Sequence, residues 1–243
     1  MTRRLPGRHA ADPNVAEIAA LIGDSARAAI LLALLDGREL PASELAFRAG
    51  ASPQAASAQL AKLAAGGLLV GRRAGRHRFF RLASADVAHA LEGLAAVARP
   101  RPIVALSQTT TLQRLREARS CYDHLAGRLG VAVTDHLVER RAIRPAGQDF
   151  TLTRRGETFL RHVGVAVERA REGRRAFARS CMDWTERRPH LAGSLGAEVL
   201  ERFLTAGWLT RNRHDRALRI TAEGRAELTR CFFVEDRSFL RRE

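Results

Sequence analysis

Between Ser52 and Leu82 the spacing of apolar residues changes once, from helical to alternating, and a glycine pair marks the change. In "SPQAASAQLAKLAAGG", Ser52 can cap a helix and Pro53 suits its first turn. Ala56, Leu60, Leu63 and Ala64 recur three and four apart before Gly66-Gly67 stops the run. Beyond it "LLVGRR" and "HRFFRL" alternate as two short strands around Ala74-Gly75, a hairpin. Phe79 and Phe80 point to opposite faces there, so at least one enters a core. Upstream, Val15, Ile18, Leu21 and Ile22 share one helical face. "GDSARAAILLALLDG" is a second helix, capped by Asp24 or Ser25 and ended by Gly37, and "PASELAFRAG" a short third, with Ser43 as N-cap and Gly50 as terminator. Downstream, "SADVAHALEGLAAVA" is helical with Val87, Leu91, Leu94 and Val97 on one side. Pro100 and Pro102 break the pattern.

A helix, a glycine turn, a second helix and a basic hairpin are the layout of a winged helix-turn-helix. The helix from Ser52 then reads DNA. Ser52, Gln54, Ala55, Ser57, Gln59 and Lys62 lie outward as small or hydrogen-bonding groups, suited to a major groove. Arg72, Arg73, Arg76 and Arg78 form the wing and grip phosphates or a narrow minor groove. Net charge agrees: 41 Lys and Arg stand against 26 Asp and Glu, giving +15. No apolar run is long enough to span a bilayer, and "MTRRLPGRHAADP" lacks the apolar segment of a signal peptide. The expectation is a cytoplasmic protein with double-stranded DNA as its partner and no membrane. Three scattered cysteines do not make a disulfide framework.

With these residues in view, 14–98 resembles the ArsR/SmtB family of winged-helix repressors. Arg27 matches the arginine near the start of a family helix. Ser57, Leu60 and Leu63 match its Ser-x-His-Leu-x-x-Leu core, with Gln59 in place of the histidine. The resemblance implies a homodimeric repressor bound to an inverted-repeat operator and released by an effector. It also implies dimer contacts through the first and last helices of this domain, at Val15, Ile18, Ile22, Val87, Leu91, Leu94 and Val97. Arg27 can meet a phosphate or an internal partner. The family's usual metal ligands are missing: no cysteine lies in "SELAFRAG" or "QLAKLAAGGLL", and of the last-helix set only Asp86 and His89 remain.

The expected organisation is a flexible arm (1–13), the DNA-binding and dimerisation domain (14–99) and a regulatory domain (100–243). The fold class is mainly α with small β-hairpin wings. The regulatory part repeats itself, over about 112–165 and 175–233. "ARSCYDHLAGRLG" returns as "ARSCMDWTERRPHLAGSLG" with six inserted residues, and "LTRRGETFL" returns as "ITAEGRAEL". Each copy reads as helix, turn, helix, strand, helix, a degenerate winged-helix unit, and the tail resembles that of longer ArsR-type regulators with "CYDHLAG". Cys121, His124, Cys181 and His190 leave three readings open: a site for a soft divalent metal, a thiol redox sensor, or small side chains packed at matching points. Tyr122, Trp184 and Trp208 either line an effector pocket or belong to the core. No nucleophile elbow, phosphate loop or zincin motif is present, so the reading is a regulator rather than an enzyme. A DNA-architectural protein without sequence preference is the weaker alternative. The effector itself is not identified by the sequence.

Overall fold

The computed structural model describes residues 13–99, 106–172, 175–213 and 215–232. The expected arm, apart from Pro13, and the Pro100–Pro102 break lie outside the described residues. The chain divides into two compact units. The first comprises residues up to Leu34 together with Glu39–Ala83, and the second Leu35–Arg38 together with everything from Ser84.

The first unit holds α1 (Val15–Ile22), α2 (Ser25–Ala33), β1 (Leu40–Pro41), α3 (Ala42–Arg48), α4 (Pro53–Ala65), β2 (Leu69–Ala74) and β3 (His77–Leu82). Asp24 caps α2, accepting the Arg27 backbone N–H at 2.9 Å. Ser43 is not a cap: α3 begins at Ala42 with Pro41 in the cap position, because Leu40-Pro41 is drawn into pairing with Phe79-Phe80. Ser52 caps α4 through Ala55 N–H, and Gly67, at φ +72°, turns the chain into β2. The β2–β3 hairpin turns at Gly75-Arg76, one residue later than expected, with Ala74 opposite His77. Leu45, Leu60, Leu63, Phe80 and Leu82 are buried, and Phe79 is only half-buried.

The second unit begins with α5 (Ala85–Val97), which the sequence placed with the first. Ser84 caps it, and its buried residues are Ala88, Leu91, Glu92 and Ala96. Then come α6 (Leu106–Glu117), β4 (Arg119–Cys121), β5 (His124–Ala126), α7 (Gly127–Glu139), β6 (Ile143–Ala146), β7 (Asp149–Leu152), α8 (Arg154–Val163) and α9 (Val167–Glu172). These are followed by β8 (Arg179–Met182), β9 (Pro189–Ala192), α10 (Gly193–Thr205), β10 (Leu209–Arg211), β11 (Leu218–Ile220) and α11 (Ala222–Phe232). Hairpin, helix, hairpin, helix thus occurs twice. Each round opens on a strand pair where the sequence reading placed a helix. "SCYDHL" closes as a hairpin around Tyr122-Asp123, and Tyr122 takes φ +60°. β6, β7, β8 and β9 form one antiparallel sheet in that order. The core runs through Leu129, Val133, Leu137, Leu160, Leu195, Leu200, Phe203, Trp208 and Phe232. Trp208 is therefore core, packed on Phe203 at 5.1 Å between ring centroids. Among the described residues no helix is long and apolar enough to cross a membrane.

The recurring Thr-x-x-Gly step has a steric cause. Thr153 caps Gly156 N–H at 3.0 Å, and Thr221 caps Gly224 N–H at 2.9 Å. A Cβ on either glycine would stand 2.0 Å from a backbone oxygen, of Ala142 or of Trp208. A backbone oxygen yields far less readily than the end of a flexible side chain. Gly156→Ala is expected to destabilise by about 1–3 kcal/mol, the usual cost of overpacking. Thr153→Ala should cost about 1 kcal/mol through the lost cap. Urea unfolding of both variants checks the order, which is wrong if Thr153→Ala is the more damaging.

Candidate metal centre and nucleic-acid interface

The two strand pairs beginning at Arg119 and Arg179 place a cysteine directly across from a histidine. Cys121 pairs with His124 and Cys181 with His190. The six residues inserted in the second copy bulge out as the loop between β8 and β9, so a nine-residue gap in sequence closes to the same cross-strand pair. α7 packs on β9 and α10 on β5, which brings the hairpins together. All four side chains are buried, and their ligand atoms lie within 4.8 Å of one another.

The cluster has the dimensions of a tetrahedral ion site. Cys121 Sγ and Cys181 Sγ are 3.8 Å apart. Two thiolates each about 2.3 Å from one ion, at the tetrahedral angle, stand about 3.8 Å apart; a disulfide needs about 2.05 Å. His124 Nε2 and both ring nitrogens of His190 are buried without a hydrogen-bond partner among the described residues. Orphaned imidazole nitrogens beside two thiols are what a soft or borderline cation would satisfy. Each imidazole also has a carboxylate behind it. Asp123 Oδ1 is 3.5 Å from His124 Nδ1, and Asp183 Oδ2 is 3.9 Å from His190 Nδ1. Carboxylates in that position commonly orient metal-bound histidines. Burial, reinforced by His124, pushes the His190 pKa down and keeps the ring neutral. Burial pushes the Cys121 thiol up. Burial opposes charge on His124, but Cys121 and Asp123 outweigh it and raise its pKa. A cation entering this site displaces protons.

Sequence reasoning missed what holds the hairpins together. Arg119, fully buried, donates to Asp183 Oδ2 at 2.9 Å, and the Gly127 backbone N–H donates to the same oxygen at 2.6 Å. Asp183 Oδ1 accepts from Thr185 N–H, Thr185 Oγ1–H and Glu186 N–H. The Trp184 ring covers the guanidinium at 4.9 Å. The signal was present in the twice-occurring Arg-Ser-Cys-x-Asp, but which arginine meets which aspartate depends on the fold. Burial alone would raise the Asp183 pKa; Arg119 and the hydrogen bonds overcome it and hold the carboxyl far below its ordinary value.

On the first unit, α4 leaves Gln54, Ala55, Ser57 and Lys62 exposed, with Ser52 at its cap. Gln59 is half-buried, and its Oε1 accepts a hydrogen bond from Arg27 Nη1 at 2.9 Å. Arg27 also donates to the Leu21 and Ala20 carbonyls, which settles it as an internal clamp. On the wing, Arg72 is paired with Glu39 at 2.8 Å, and Arg78 lies over the Phe80 ring. Arg76 occupies the turn, and Arg73 has no partner among the described residues. Arg73 and Arg78 sit directly opposite one another across the strands. Facing like charges destabilise a strand pair unless an anion lies between or beside them. Of the expected dimer residues, Val15, Ile18, Leu94 and Val97 are exposed, and Ile22 and Val87 are half-buried. Leu91 is buried within the chain itself.

Residues 22–72 match the family model of a helix-turn-helix domain. Over 214 residues the chain is 42% identical to YdfF, an uncharacterised HTH-type transcriptional regulator of Bacillus subtilis (strain 168), covering 88% of this chain and 95% of the relative. Among solved structures, HlyU from Vibrio cholerae is 32% identical over 33% of this chain and 86% of its own, with a TM-score of 0.31. The cadmium metal-sensor CMTR from Mycobacterium tuberculosis is 33% identical over 37% and 98%, with a TM-score of 0.30.

The buried ion pair gives a direct test. Asp183→Asn strands the Arg119 charge and is expected to cost about 3–5 kcal/mol in chemical denaturation. Because the folded carboxyl titrates below its unfolded value, its contribution is complete above about pH 4 and falls away as the solution is acidified further. The gap between wild type and variant should therefore be level above that pH and narrow below it. A gap that widens on acidification contradicts the assignment.

Proposed function

Since the chain belongs to the HTH-type transcriptional regulators, we propose that it is a winged, ArsR/SmtB-type, cytoplasmic, homodimeric repressor. It binds operator DNA through α4 and the β2–β3 wing and answers to a soft or borderline divalent metal held in its second unit. A transcriptional regulator of this kind acts by binding rather than by catalysis. What carries the DNA half is the uncompensated wing tip, with Arg73, Arg76 and Arg78 beside the exposed polar face of α4. The groove-facing role falls to α4 rather than to α7 or α10. α7 buries eight of its 13 residues and α10 six of 13, whereas α4 buries three of 13. The second unit is read as a duplicated, degenerate winged-helix module retained for sensing. Self-association is supported by α1, which buries none of its residues although Val15 and Ile18 are apolar.

The effector half rests on the convergence of Cys121, His124, Cys181 and His190. The ion would supply a positive charge that two thiolates balance, and it would crosslink β4–β5 to β8–β9. A thiol switch fits less well, since a buried thiol with a raised pKa reacts slowly with oxidants.

On DNA, Arg76→Ala is expected to weaken operator and random duplex alike and to lower the salt slope by about one. Gln54→Ala should instead narrow the operator preference, by about 1–3 kcal/mol. Fluorescence anisotropy at two salt concentrations separates them, and equal effects of both variants on specificity would refute the division of labour. For the metal, the full chain titrated with Co(II) is expected to show thiolate-to-metal charge transfer and tetrahedral visible bands at one equivalent. Cys121→Ser should lose them. Cadmium or zinc should weaken operator binding by about tenfold, within the usual range of allosteric coupling; an affinity indifferent to saturating metal removes the effector role.

A further inference from the structure

A closed cluster of four buried donors needs a way in. The surroundings of α5 offer one. A cavity of about 400 Å3 is lined by Ser84, Asp86, His89, Arg175, Arg179 and Gly193 among others. Its two arginines do not present a bare positive rim to an arriving cation. Arg175 pairs with Asp123, and Arg179 lies 3.6 Å from Asp86, whose side chain is 89% exposed. His89 lies on the same lining. Its Nδ1 faces the Ala85 carbonyl at 2.7 Å, on its own helix, which leaves Nε2 on the far edge of the ring. That Nε2 is buried and has no hydrogen-bond partner among the described residues. The ring stacks on His124, with centroids 6.1 Å apart and planes inclined by 19°. His124 in turn stacks on His190 at 5.1 Å and 27°. Exposed Asp86, half-buried His89 and buried His124 are thus donors of increasing burial, the last of them in the cluster.

Resting on the metal-site reading above, we propose that His89 is the transfer ligand of this protein. It takes a borderline divalent cation from the cavity and hands it to His124. His89 stands outside the four-donor group, whose atoms are mutually within 4.8 Å. Its imidazole is thus a stopping place rather than a member of the final set. Its unmet nitrogen is explained by the passing ion, which a core role would leave unexplained. The ion moves by ligand exchange: a water on the hydrated ion gives way to His89, and His89 gives way to the four ligands, as the S–H bonds of the two cysteines break and their protons leave to water.

The test is the rate at which the full chain takes up Co(II), followed by stopped-flow absorption of the thiolate charge-transfer band. His89→Ala is expected to slow loading about tenfold while leaving the final spectrum and the equilibrium affinity at wild-type values. His89→Gln, which fills the space of the ring without an imidazole, should load as slowly. Loading of His89→Ala at the wild-type rate overturns the proposal, as does wild-type loading by His89→Gln, which would make the ring a spacer. A changed final spectrum in His89→Ala also overturns it, by making His89 a ligand. The two levels remain distinguishable. If the wild type shows no cobalt spectrum, the site itself fails and the route with it. A wild-type spectrum with unaltered variant rates removes the route alone.

Discussion

The second unit is organised around the buried pair of Arg119 and Asp183. A guanidinium and a carboxylate, both without solvent exposure, are tolerated because nearly all of their polar demand is met, Arg119 Nε being the atom left without a hydrogen-bond partner among the described residues. Asp183 collects hydrogen bonds from Arg119, Gly127, Thr185 and Glu186, and Trp184 covers the guanidinium face. The pair contributes less to net stability than to register. It locks the end of β8 to the start of β4 and to the entry of α7. The Cys and His of each hairpin face those of the other beside this pair, with the two sulfurs 3.8 Å apart.

The first unit was legible because its grammar is local. Ser52-Pro53, the spacing of Leu60 and Leu63, and the glycine pair state one helix and its end within sixteen residues, and the structure follows. The second unit was legible as a repeat and not as a set of elements. "SCYDHL" has helical spacing between Cys121 and His124, so local pattern put them on one helix face. The structure makes them cross-strand neighbours instead, because tertiary pairing overrides a weak local preference. The four side chains that the structure brings together are nonetheless those the repeat singles out, since repetition marks positions whatever backbone carries them. What no local pattern exposes is the partner choice. Arg119 reaches across 64 residues to Asp183, and Gln59 turns inward to Arg27 rather than outward.

Burial separates helices that the sequence makes look alike. α4, α7 and α10 each run for 13 residues after a turn. α4 has small and polar side chains between its apolar positions, so one face stays free. Counted from their first residues, α7 and α10 carry Val133 and Val199 at the position of Gln59, and leucine and glycine where α4 has Ala55 and Ala56, and both sides are taken up by neighbouring elements. A helix that spends both faces on internal packing has no face left to enter a groove. What the unit gains is an enclosed interior in which cysteine and histidine from two hairpins meet away from water.

An enclosed, four-donor site has no open coordination position, and that argues for sensing over chemistry. On the proposed metal reading, an ion there would act through the groups it draws together and the helix that lies against them. α5 is that helix. It turns His89 and Glu92 inward, Glu92 being bound to Arg216, and it leaves Leu94 and Val97 exposed as an apolar edge. One edge of the helix thus borders the cluster, while the other presents Leu94 and Val97 to solvent. Sub-ångström adjustments at packed interfaces are amplified because such packings have discrete alternatives rather than a continuum. If the proposed ion and the proposed dimer both hold, the helix that borders the cluster is also the element through which the one would alter the other.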